Sequence, residues 1–263
     1  MNIKKFPNPK LNLPKDLKKK AKEDPALFFK YVDNYINLVG KYIYTDINLD
    51  YQPVDDNHIH AWIQRIVSAN LLRSLYIRNE FVETINTRNF VGMFLPLKAW
   101  FEIVGVLASI LDLLEKKLSK EDLREKLEPY CLGNRGITKI GEVESINVLT
   151  MINKANRYLE KMQKEVQNKD KASPETFFTS FYDTASNPSH PSFDSMEMVG
   201  FLDEESGTWR AELPDNIKEK IVTSIDGYGG LLMSPLFIEN ICQKIFLIEK
   251  DKFFKLKSKK YFD

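Results

Sequence analysis

Between Phe94 and Leu114 the chain carries three charges, Lys98, Glu102 and Asp112, one hydroxyl, and otherwise almost nothing polar. A segment this apolar either crosses a bilayer or is enclosed by other parts of its own fold. The charges leave no uncharged run longer than nine residues, about half of what a span needs. The segment is therefore expected to be a buried helix, apolar on every side from 103 to 111 and kinked near Pro96. A helix that must be surrounded calls for several others around it.

Those others are legible as periodic apolar patterns. A first helix is expected from about 15 to 45, with Phe28, Phe29, Val32, Ile36 and Val39 on one face. A long helix should start at Asp56 or Asn57 and run through Arg88, with Ile59, Trp62, Ile63, Ile66, Leu72 and Leu75 spaced by threes and fours. Ser119 with Asp122 reads as a capping box opening a short helix to Tyr130. Val143, Ile146, Leu149, Ile152, Leu159 and Met162 mark a further long helix. Ser173-Pro174 and Ser234-Pro235 are cap signals for two more, and a short one should follow Pro214 and Asp215. Glu205-Ser-Gly207 between Phe201-Leu202 and Thr208-Trp209 suggests a small β-hairpin or flap within 200–213. The expected architecture is all-α: one multi-helix domain of seven or eight helices over 15–250, a basic extended arm at 1–14 and a basic tail at 251–263.

Charge is segregated along the chain. Residues 1–22 carry +7 and residues 250–260 carry +5, which leaves −11 for the body at a net +1. Basic ends of this kind are solvated tails that can meet RNA, an anionic surface or the acidic body itself. Cys131 and Cys242 lie far apart and read as reduced, small apolar residues of a cytoplasmic protein. No secretory signal and no transmembrane segment is expected. Phosphate-loop, dinucleotide-binding, His-Glu-x-x-His and Cys-x-x-Cys motifs are all missing, which argues against P-loop, Rossmann and zincin chemistry, and no cofactor or metal is expected.

Three polar features remain. His58 and His60, beside Asp55 and Asp56, could share a metal only if the pair lay in a loop; on a helix, residues two apart point in different directions, and they read as decoration of the helix N-terminus. Lys98 and Glu102, four apart on the apolar helix, share a face and can pair with each other or reach Arg73 or Arg78. His190 sits in the polar stretch Tyr182-Asp-Thr-Ala-Ser-Asn-Pro-Ser-His-Pro-Ser192, read as a loop, and its imidazole can exchange protons near neutral pH. Charges on an apolar helix need polar partners, so Lys98, Glu102 and His190 are expected to converge, with Tyr182 and Asn187 at the rim. On that view Glu102→Ala costs several kcal/mol.

Tyr182-Asp-x-x-Ser-x-x-x-His-Pro, together with Pro96-Leu-Lys-Ala-Trp-Phe-Glu102 on an earlier helix, resembles bacterial helical families of the HEPN and phage-abortive type. The ribonucleases among them resemble one another in an Arg, a polar residue and a His four to six positions after the Arg. This chain has Ser186, Asn187 and His190 but no Arg at that spacing, and Lys98 where related families often have Arg. The resemblance implies a non-catalytic helical interaction module of bacterial defence or toxin–antitoxin systems, with a protein partner or a homodimer. The alternative it implies is a metal-independent endoribonuclease with His190, Glu102 and Lys98 catalytic and Tyr182, Asn187 and Arg73 binding.

Overall fold

The computed structural model describes residues 6–12, 23–44, 47, 56–87, 89, 91–132, 146–167, 177–186, 200–203, 205–211 and 234–253. Among them are seven α-helices: α1 (Glu23–Gly40), α2 (Asp56–Asn86), α3 (Phe94–Glu115), α4 (Lys120–Leu132), α5 (Val148–Gln167), α6 (Phe177–Ser186) and α7 (Ser234–Phe253). A 3-10 turn, Val91–Met93, leads into α3. The two strands β1 (Gly200–Asp203) and β2 (Thr208–Ala211) form an antiparallel hairpin with Phe201 opposite Arg210 and Leu202 opposite Trp209. The fold is all-α with that one hairpin, as the periodicity predicts. Gly207 takes the left-handed backbone, φ 62°, that its turn requires.

α3 is the axis. It packs against α2, α4, α5, α6 and α7, and Trp100, Ile103, Val104, Leu107 and Ile110 have no exposed surface. By length and composition α3 is the one described helix that could cross a membrane, yet 72% of its most apolar window is buried inside the protein. It is a core helix. Gly105 lets α5 approach: a Cβ there would lie 3.0 Å from the Met151 carbonyl carbon. Salt bridges Asp112–Lys154 and Glu115–Lys161, both 2.7 Å, continue the α3–α5 seam. At its centre the core keeps one polar chain. Trp100 Nε1 donates to Tyr35 Oη at 3.4 Å, Tyr35 donates to Ser74 Oγ at 2.8 Å, and Ser74 donates to the Leu71 carbonyl at 2.6 Å. Each donor of this chain thus finds an acceptor, and α1, α2 and α3 are tied together.

Several expectations shift. Pro96 is in the first turn of α3, where its missing N–H costs no helical bond, so it starts the helix instead of kinking it. α5 begins at Val148, after Asn147, whose side chain accepts from the Leu149 N–H at 2.9 Å. Ile146 precedes it and Val143 lies outside the described residues. Ser119 Oγ accepts from the Asp122 N–H at 3.1 Å and caps α4, which runs on to Leu132. Tyr182 through Ser186, read as the start of a loop, are the end of α6, with Phe178 and Ala185 facing the core. The helix expected from 15 is described from Glu23 to Gly40, and α7 runs to Phe253, past the expected tail boundary. The cap at Ser173-Pro174 and the helix after Asp215 lie outside the described residues. The arm is not a free tail: residues 6–12 lie against α1 and α2, with Phe6 buried.

Candidate functional site

The outward stripe of α3 runs Leu95, Lys98, Glu102, spaced by three and four. Leu95 is 59% exposed, and Lys98 and Glu102 are half-buried. Neither charge takes the other as its partner. Glu102 accepts from Arg73 Nη2 of α2 at 3.3 Å. Lys98 Nζ lies over the Tyr182 ring of α6, 5.6 Å from its centroid. The stripe thus touches α2 at Glu102 and α6 at Lys98. Tyr76, three residues beyond Arg73, is 56% exposed, and Phe181 of α6 stacks on Phe101 of α3 with centroids 6.4 Å apart. Glu102 meets Arg73 and Lys98 meets Tyr182, two separate contacts on one face. His190 and Asn187 lie outside the described residues.

The expected energetics of this group change. Arg73 is half exposed, so the Arg73–Glu102 pair is a surface ion pair and not a buried charge couple. Arg78, offered as an alternative partner, faces the other way. It is 1% exposed, donates through Nε to the Val32 carbonyl at 2.9 Å and reaches Asp33 at 3.4 Å. Burial lowers the Arg78 pKa, and Asp33 opposes that shift.

The histidines at the start of α2 are not surface decoration. Both are 8% exposed, and α7 reaches this end of α2 at His60. They point apart, as residues two apart on a helix must. His58 packs against Trp62, ring centroids 5.3 Å apart, and Arg124 of α4 lies over the same indole. His60 places Nδ1 at 2.8 Å from Glu249 Oε1 of α7 and Nε2 at 2.5 Å from Gln64 Nε2. Gln64 donates to Nε2, so Nδ1 carries the proton and donates it to the carboxylate. Burial pushes the Glu249 carboxyl above the ordinary carboxylate range, and the His60 hydrogen bond works against that shift. Burial and the nearby Glu249 push Tyr44 up to about 12. With both imidazole nitrogens engaged, the dyad clasps α2 to α7.

Sequence reasoning passed over Glu249, although the signal was present. Ile238, Ile241, Cys242, Ile245 and Glu249 fall on one helical stripe, which sets a carboxylate among core positions. Cys242 is buried and Cys131 half-buried, both free, and burial raises the Cys131 thiol to about 11. Among the described residues no three His, Cys, Asp or Glu side chains converge to hold a metal ion. Comparison of the chain with family models, curated proteins and solved structures finds no match.

Proposed function

We propose that the chain is a non-catalytic helical interaction module of the HEPN-like kind, cytoplasmic and bacterial, acting in defence or toxin–antitoxin systems through a protein partner. The observation that carries this reading is the composition of the α2–α3–α6 face. Exposed Leu95 and Tyr76 flank the Arg73–Glu102 pair and the Lys98–Tyr182 contact. Exposed apolar and aromatic side chains beside an arginine are what protein recognition uses. A photocrosslinker placed at Leu95 should give a discrete adduct with the partner in cells, and Arg73→Glu should abolish it without loss of helicity. A face that yields no adduct would overturn the reading.

One observation favours metal-independent RNA cleavage as the second reading. Lys98 sits against Tyr182 of the helix that leads, four residues beyond its end at Ser186, to His190. Incubation with single-stranded and structured RNA in chelator decides between the two. Cleavage lost in His190→Ala supports the nuclease, and intact RNA supports the module. The basic ends, +7 and +5, supply the charge for RNA contact in either case.

A further inference from the structure

Residues 6–12 are bound to the body as a peptide ligand is bound to a receptor. Asn79 Nδ2 donates to the Pro7 carbonyl at 2.7 Å. Two turns further along α2, Asn86 clamps the backbone twice: its Nδ2 donates to the Lys10 carbonyl at 3.0 Å and its Oδ1 accepts from the Asn12 N–H at 2.7 Å. Asp33 of α1 accepts from the Leu11 N–H at 3.2 Å. The register is a match of two repeats. Seven helical residues rise about 10.5 Å, and the three extended residues from Pro7 to Lys10 span about 10 Å. Pro7 and Pro9 have no N–H to satisfy and favour the extended form. Two side chains anchor the segment. Phe6 is 5% exposed with its ring 4.8 Å from that of Tyr76, and Leu11 packs on the core. Beneath the seat, buried Arg78 donates to Asn79 Oδ1 at 2.9 Å and reaches Asp33 Oδ1 at 3.4 Å, which holds two of the three gripping side chains in place.

We propose that this seat on α1 and α2 also takes residues 6–12 of a second copy, so that two chains exchange arms. The grip reads backbone and two anchors, all of which another copy's arm presents unchanged. Exchange therefore swaps one set of contacts for an identical set, the low-cost route to a dimer. Residues 13–22, ten in number, join the arm to α1 and can span about 35 Å when extended. Charge favours the encounter, because the +7 of residues 1–22 meets a body at −11. The chain's own arm competes at an effective concentration of about 1 mM, so exchange emerges as the protein approaches that concentration.

This inference deepens the interaction-module reading by naming one partner. RNA cleavage by a chain that still exchanges arms would sink that reading alone, and a strictly monomeric chain would sink the exchange alone. The test pairs two full-length variants, Phe6→Ser with a weakened arm and Asn86→Ala with a weakened seat. Each alone should remain monomeric by light scattering. Their equimolar mixture should form a heterodimer, the intact arm of one in the intact seat of the other. A synthetic peptide of residues 1–14 should dissociate the dimer that the unaltered chain forms near 1 mM, which tests the seat without any substitution. A mixture and an unaltered chain that both stay monomeric to that concentration overturn the proposal. So does a dimer indifferent to the peptide and to both substitutions.

Discussion

Arg73 and Glu102 meet at 3.3 Å at the surface of α2 and α3, and that exposure decides what the pair is worth. Exposed ion pairs contribute about 1 kcal/mol or less. Glu102→Ala should therefore move the urea midpoint only slightly, and a loss of several kcal/mol would show that the carboxylate has a buried role. His60 is the opposite case. His60→Ala leaves the Glu249 carboxyl buried without its donor and should cost about 3–5 kcal/mol. Glu249→Gln keeps an acceptor for Nδ1 and should cost far less. It should also change the pH dependence, with a sign that can be worked out. Burial raises the folded pKa of Glu249, so the folded state binds this proton more tightly than the unfolded chain does. The stability tied to that proton is complete below the ordinary carboxylate range and is lost as pH rises through the raised value. Denaturation midpoints measured upward from pH 4 should fall less steeply in Glu249→Gln than in the unaltered chain. Lys98 and Glu102 stood out in the sequence because they interrupt an apolar run. His60 stood out as well, but beside His58 at a helix start it read as decoration, and Glu249 was passed over although it continues the Ile238–Ile245 stripe.

Helices were legible where apolar residues recur on one stripe, and their ends were legible only where a capping side chain announces them. Ser119 and Ser234 mark their starts correctly, but Asn147 was overlooked because Val143 and Ile146 extend the apolar pattern past it. Pro96 misled for a related reason. Proline breaks a helix from within but suits its first turn, and the sequence does not number the turns. The seam between α3 and α5 depends on a residue that carries no pattern at all. Gly105→Ala would set a methyl 3.0 Å from the Met151 backbone, where no flexible side chain can yield. The two helices must separate, and the expected loss is about 1–3 kcal/mol in urea denaturation. An unchanged midpoint would mean that the seam has slack. What the apolar pattern could not reveal is pairing: the outward stripe of α3 faces Arg73 and Tyr182, which lie 29 residues before Glu102 and 84 after Lys98.

At the scale of the whole molecule, the all-α class and the enclosed position of α3 follow from one apolar run that demands neighbours. The docking of the arm was not legible, because its bonds go to backbone atoms that every sequence shares. α7 closes the structure. Through it His60 meets Glu249 and Lys41 meets Glu239, and Tyr158 donates to Asn240. The first two join residues nearly two hundred positions apart and form late, since their loop closure precedes any gain. A ribosome makes residue 60 long before residue 249. Through most of synthesis, then, the face of α2 that awaits α7 is open and its histidine has no carboxylate to meet. A nascent chain of this protein is one that chaperones should hold until α7 emerges.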